Sequence, residues 1–140
     1  MDGLIKYTVN FRISGDKLEY PEITEMLRII PDEAHRKGDP NTSISKKGKV
    51  IHYSPFSTGV WIRKSRENEH EVLEHHIRSL LLILYPLKDE LAELTSRGYK
   101  MDMFCGAFMH EAHQPGFDIS SDTLSQLGEL NIDLGICLYT

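Results

Sequence analysis

The chain has 140 residues, about the length of one ordinary domain and too short for two. Hydrophobic residues make up 40% of it, which excludes a disordered or low-complexity linker. No apolar run approaches the roughly 20 residues that cross a bilayer, and the N-terminus lacks a basic segment followed by an apolar one. We therefore expect a single domain over residues 1–140, with no membrane segment and no signal peptide, in the cytoplasm.

The charges are distributed unevenly, although the formal net charge is only −5. The segment from Arg36 to Arg66 contains eight basic residues and one acid, Asp39, and carries +7, whereas the rest of the chain carries −12. Such an imbalance can orient an oppositely charged partner. The acidic net charge weakly opposes non-specific contact with nucleic acid, so we do not expect nucleic acid as the partner.

The first elements in the chain are a strand and a short helix. Residues 4–14 alternate between apolar and polar side chains, which predicts a half-buried strand. A helix should begin near Tyr20, because Pro21 suits a first turn, and it should end at Pro31. Residues 32–57 are rich in Gly, Pro, Ser, Asn and Lys. They predict a long loop, with one short edge strand at Lys49–Tyr53.

The middle of the chain predicts a second strand followed by the main helix. In Gly59–Lys64, the side chains of Trp61 and Arg63 should point to one face. Leucines and isoleucines at helical spacing predict a helix over Glu69–Tyr85, with Glu74 and Arg78 paired on its exposed face.

The last third predicts two helices and two strands. Pro86 should kink the main helix or begin another, which Gly98 caps. Tyr99–Met109 is predicted to be a central strand, Ser120 or Ser121 to cap a short helix, and Ile132–Leu138 to alternate in a final strand.

These elements define two strand–helix–strand units joined by the long helix. They predict an α+β fold: a single mixed, mostly antiparallel sheet with helices packed on it. An exposed edge of such a sheet could support a homodimer.

Two histidine-containing segments resemble metal sites in part. In His70-Glu71-Val72-Leu73-Glu74-His75, the second histidine stands at i+5 and lies roughly 140° around a helix from the first, so the two cannot share one zinc ion. His110, Glu111 and His113 could share an ion only with a ligand from a distant segment. We expect no metal site, cofactor or catalytic residues.

The two cysteines, Cys105 and Cys137, are too few for a disulfide framework. They should lie on opposite faces of the sheet and remain buried, unreactive thiols.

The basic segment is the strongest candidate binding site. Its cations are interleaved with aromatic residues, and together these can hold a phosphate, a nucleotide, a single strand of nucleic acid or an acidic protein surface. The simpler interpretation is that the cations neutralise the acids of the helix that follows, and that Trp61 belongs to the core. The candidate binding residues are Arg36, Lys37, Asp39, Lys46, Lys47, Lys49, Trp61 and Arg63.

Several motifs follow one another along the chain in an order that resembles a bacterial family catalogued as domain of unknown function 4279. They are a strand ending in Gly, Pro21-Glu22-Ile23-Thr24-Glu25-Met26-Leu27, Ile30-Pro31, Lys37-Gly38-Asp39, Trp61, His75-His76-Ile77, Tyr85-Pro86, the leucines at 124, 127 and 130, and Tyr139. The resemblance implies a small bacterial protein and supplies no activity.

Three functional hypotheses follow. The first is a non-enzymatic interaction module in which the basic, aromatic-containing segment 36–66 binds an acidic protein. The second is a protein, with or without catalytic activity, that binds a small anion or nucleotide in a pocket near Trp61. The third is metal-dependent hydrolysis by His110, Glu111 and His113.

Overall fold

A computed structural model describes residues 5–109 and 116–139 of the chain. Its strands are β1 (Lys6–Gly15), β2 (Glu33–His35), β3 (Asn41–Ile44), β4 (Val50–Tyr53), β5 (Gly59–Lys64), β6 (Lys100–Phe108) and β7 (Ile132–Tyr139). Its helices are α1 (Tyr20–Leu27), α2 (Leu73–Leu84), α3 (Lys88–Ser96) and α4 (Ser121–Glu129). None of the helices in the described ranges is long and apolar enough to cross a membrane.

The main sheet has five strands in the order β2-β5-β1-β6-β7. All of its pairs are antiparallel except β6 and β7, which are parallel and are connected through α4. Strands β3 and β4 form a separate two-stranded sheet. The predicted α+β fold, an open mixed sheet with helices, is confirmed.

One face of the main sheet carries the hydrophobic core. Alternate residues of β1 point into it because the side chains of a strand alternate between its faces, and Phe11 and Ile13 are completely buried. The buried stripe of α2 packs over β1, and α4 packs over β7. The opposite face carries exposed side chains such as Thr8, Lys100 and Asp133.

Helix α2 begins at Leu73, four residues later than predicted. Glu74 and Arg78 do not come within ion-pair distance, although the Arg78 charge still helps to lower the pKa of Glu74. The Glu74 carboxylate instead accepts hydrogen bonds from Ser120 N at 2.6 Å and Thr123 Oγ1 at 2.9 Å. These bonds lower the pKa of Glu74 and fasten α2 to the beginning of α4. Ser120 also caps α4 as predicted, since its Oγ accepts from Thr123 N.

The prediction of a long loop over residues 32–57 is wrong where that segment forms strands β2 and β3. The predicted edge strand is present as β4, but its partner β3 and the short strand β2 were missed. A tight turn joins β3 to β4: Gly48 N donates to Ser45 O at 2.9 Å, and Gly48 has a φ of 79°. A turn with glycine at the left-handed position is a common hairpin connection.

Candidate interaction surface

Three of the predicted binding lysines lie together at the end of the β3–β4 hairpin. Lys46 and Lys47 occupy the turn, and Lys49 follows Gly48. All three are exposed, and no carboxylate in the described ranges lies within ion-pair distance of them. The hairpin tip, defined as residues 45–49, is therefore cationic, and its charged side chains are exposed to solvent.

Apolar side chains flank the hairpin tip on both strands. Ile44 is 75% exposed and faces Val50, which is 57% exposed. On the other face of the ribbon, Ile51 and Tyr53 are also exposed. A small anion would need only the lysines, whereas a protein surface can cover these apolar side chains as well.

The base of the hairpin is fastened to the body of the protein. The rings of His35 in β2 and Phe56 stack with their centroids 3.5 Å apart. Gly38 N donates to Phe56 O at 2.8 Å, and Phe56 N donates to Asp39 O at 3.1 Å. The Asp39 carboxylate accepts from Arg36 N at 2.8 Å. Asp39 therefore closes a turn at the hairpin base.

Four other cations of the basic segment are paired with acids of the same chain. Arg36 pairs with Glu19 and lies over the ring of Tyr20, and Lys37 lies 3.4 Å from Asp16. The hydrogen bond to Glu19 raises the pKa of Arg36. Local neutralisation, the simpler interpretation, therefore applies to these cations.

The same neutralisation occurs at the end of β5. Lys64 lies 3.8 Å from Glu33, and Arg66 lies 2.9 Å from Asp32. Burial opposes ionisation of Asp32, but the hydrogen bonds from Arg66 and from Lys64 N together lower its pKa. These acids are not those of the α2 region that the sequence indicated.

Trp61 and Arg63 point to the helix-covered face of β5, away from the hairpin tip. Trp61 is completely buried, its ring meets that of Phe11 edge to face, and its Nε1 donates to Thr24 Oγ1 at 3.0 Å. Arg63 Nη1 donates to Ile30 O at 2.8 Å. The prediction that Trp61 offers a stacking surface or lines a ligand pocket is therefore wrong, because the indole belongs to the core.

A cleft of about 730 Å³ lies beside the hairpin base. Its walls include the carboxylates of Asp32, Glu33 and Asp39 together with His35 and Phe56. Burial lowers the pKa of His35, which favours its neutral form. The described residues that line the cleft include no lysine or arginine, so it offers no cationic side chain to the phosphate or nucleotide of the second hypothesis.

Ser65 contacts His76, a pair that no motif in the sequence indicates. Ser65 Oγ lies 2.8 Å from His76 Nδ1 and accepts from Glu67 N at 3.1 Å. Burial lowers the pKa of His76, and its Nε2 contacts no hydrogen-bonding group in the described ranges. The pair joins the end of β5 to α2.

The cysteines lie on opposite faces of the sheet, as predicted. Cys105 is buried in the core, and burial raises its pKa to about 12. Cys137 is half-buried on the other face, so the prediction that both thiols are buried is wrong for Cys137; both thiols are free. Among residues 5–109 and 116–139, no three potential ligands cluster into a metal site. His110, Glu111 and His113 lie outside the described residues.

The fold and the hairpin define a small α+β domain whose open sheet carries a basic, partly apolar β-ribbon. The chain belongs to the family described as Domain of unknown function (DUF4279), whose model matches residues 5–140. A search of curated proteins and a search of solved structures each found no match.

Proposed function

We propose that this chain is a non-enzymatic interaction module that binds an acidic partner protein through the hairpin tip. The observation that carries this proposal is the contrast within the basic segment. Four of its cations pair with internal acids, whereas Lys46, Lys47 and Lys49 have no such partner in the described ranges. These lysines therefore keep their charge available for a second molecule.

Electrostatics and apolar burial have separate roles in this proposal. The lysines attract an acidic surface over about one Debye length, roughly 8 Å at physiological salt, and so raise the association rate. The exposed side chains of Ile44, Val50 and Tyr53 supply apolar area for burial once contact is made. Because the stacked His35 and Phe56 fasten the hairpin base, the partner binds a preorganised ribbon.

We also propose that the protein works in the bacterial cytoplasm. The two free cysteines, which lie on opposite faces of the sheet and cannot bridge, support a reducing compartment.

Charge reversal at the hairpin tests the proposal. The variant carries Lys46→Glu, Lys47→Glu and Lys49→Glu, and the matched control carries Lys17→Glu, Lys88→Glu and Lys100→Glu. The control lysines are also exposed, and both variants change the net charge equally. Each protein is assayed for retention on immobilised polyglutamate and for quantitative capture of proteins from a bacterial lysate.

We expect the wild type and the control to retain the same acidic proteins at 50 mM salt and to release them at 500 mM. The hairpin variant should lose them at both concentrations. Equal losses in both triple variants would show that net charge alone matters. Thermal stabilisation of the wild type by phosphate, ATP or single-stranded DNA, with no protein captured, would favour a small-anion or nucleic-acid ligand instead.

A further inference from the structure

The two edges of the main sheet differ in their protection against pairing with another strand. The β2 edge is only three residues long, carries Glu33 and His35, and leads into the hairpin. The β7 edge is eight residues long, and Asp133 is its only charged residue. No strand in residues 5–109 and 116–139 pairs with its outer side. A long, apolar edge strand is a template for a further strand.

The backbone of β7 presents unused hydrogen-bonding groups outward. Tyr139 O accepts from Met109 N at 2.8 Å, so the polar groups of Tyr139 face β6. Along a parallel strand, the N–H and C=O groups of one residue point toward the neighbouring strand, and those of the next residue point away from it. The N–H and C=O groups of Leu134, Ile136 and Leu138 therefore face away from β6.

The exposed side chains of β7 lie along the same half of the strand. Ile136 is 37% exposed and Leu138 is 55% exposed on the helix-covered side, and Tyr139 is 42% exposed on the other. Helix α4 spans only about 14 Å, whereas β7 spans about 26 Å. The helix therefore covers Ile132 and leaves the end of β7 accessible.

We propose that β7 pairs antiparallel with β7 of a second copy of this chain, with Ile136 opposite the partner's Ile136. In this register the outward-facing groups of both strands meet in hydrogen-bonded pairs, and Leu134 faces the partner's Leu138 on the helix-covered side. On the other side, Asp133 faces the partner's Tyr139, so the single carboxylate of the strand does not meet its own copy. In this register β7 is complementary to its own copy, because its outward backbone groups are all paired, its apolar side chains meet, and its one carboxylate is kept from the partner's; we therefore assign the edge to a second copy.

The dimer joins the two sheets edge to edge with their helices on the same side. Because the hairpin follows β2 at the far edge, two hairpins would lie at opposite ends, roughly 40 Å apart at about 4.8 Å per strand. Through its two hairpins, such a dimer could bind two acidic sites on one partner at the same time. Only this consequence rests on the proposed function. The dimer itself does not depend on the hairpin.

Light scattering and sedimentation measure the mass of the full chain from 1 to 100 µM. We expect a dimer in the wild type and at least about tenfold weaker dimerisation in Ile136→Lys, where two lysines would face each other. Ile30→Lys is the matched control, because Ile30 is 76% exposed and lies away from β7, and it should dimerise like the wild type.

Cysteine cross-linking tests the register. In a Cys137→Ser background, oxidation should link Ile136→Cys to its copy, since the Cα atoms of a hydrogen-bonded pair lie about 5.5 Å apart, within disulfide reach. Leu138→Cys should not link, because the register separates it from its copy by about 13 Å. A monomer at 100 µM, a dimer insensitive to Ile136→Lys, or equal linking of both cysteines would overturn the proposal. Failure of the wild-type protein to bind polyglutamate, with an intact dimer, would instead contradict only the function of the hairpin.

Discussion

Replacement of Trp61 by Phe tests whether the one tryptophan of the chain is a core residue or a ligand-binding residue. The indole is completely buried, and its Nε1 donates to Thr24 Oγ1 at 3.0 Å. Phenylalanine keeps one aromatic ring in place, but it removes the donor and leaves part of the indole volume empty. Trp61→Phe should therefore lower the free energy of unfolding and leave binding at the hairpin tip unchanged.

Two losses contribute to the expected change. The hydrogen bond to Thr24 stabilises the fold by about 1 kcal/mol. The missing ring atoms remove buried apolar contact worth about 1–2 kcal/mol at ~0.8 kcal/mol for each buried carbon. We expect a total of about 2–3 kcal/mol for Trp61→Phe, which lowers Tm by roughly 6–9 °C in a domain of this size.

Substitution of the acceptor separates the two losses. Thr24→Val leaves the indole N–H buried without an acceptor and should cost about 1–3 kcal/mol. The matched control is Thr95→Val in α3, because Thr95 Oγ1 donates to Leu91 O just as Thr24 Oγ1 donates to Tyr20 O, but it contacts no indole. The double variant Trp61→Phe, Thr24→Val should lose about 1 kcal/mol less than the sum of the two single variants.

Urea unfolding followed by circular dichroism measures these free energies without the tryptophan signal. In the wild type, the fluorescence of Trp61 gives an independent test, since a buried indole should be quenched weakly by acrylamide. Unfolding of Trp61→Phe at the wild-type urea concentration, or quenching of native Trp61 as strong as that of free tryptophan, would refute a core position for the indole.

The remaining predictions concern pH, packing and thiol reactivity. Burial lowers the folded-state pKa of His76 and of His35, so the unfolded chain binds protons first as pH falls below about 6.5. Stability should decrease from pH 7 toward pH 5 in urea titrations, and His76→Asn should reduce that slope, with the contribution of His35 remaining. Gly59→Ala should cost at least about 2 kcal/mol by the same measurement, because its Cβ would lie 2.8 Å from a backbone oxygen of β1; wild-type stability would contradict the packing described. With an aromatic disulfide reagent, the half-buried Cys137 should react in the native protein and Cys105 only on unfolding, whereas two fast-reacting thiols would exclude this core.

Periodicity predicted the regular elements because a single physical requirement, burial of one face, determines them. The alternation in residues 4–14 corresponds to β1, and the leucine spacing before Tyr85 corresponds to the body of α2. The boundaries were less accurate. Helix α2 begins late because residues 65–69 first run beside β1, with Ser65 N bonded to Val9 O and Tyr7 N to Glu69 O.

The hairpin was missed because its strands bury little. Neither β3 nor β4 contains a buried residue, so the alternation that a half-buried strand shows is absent from the sequence. Its clearest local signal is the turn, in which Gly48 follows two lysines and adopts a positive φ. A ribbon held mainly by backbone hydrogen bonds and turn geometry leaves its side chains free of packing constraints.

Charge counted along the sequence overestimated the basic surface because neutralisation depends on contacts made through the fold. Asp16 and Glu19 precede α1, yet they meet Lys37 and Arg36 once β2 returns along the sheet beside β5. The hairpin projects beyond those acids and contains none of its own between Asn41 and Tyr53. Because the hairpin projects beyond the body of the protein, its tip lacks both ion-pair partners and packing contacts among the described residues. The three lysines and the exposed apolar side chains of the hairpin therefore lie together on strands that contain no buried residue, and binding to a second molecule would explain their combination there.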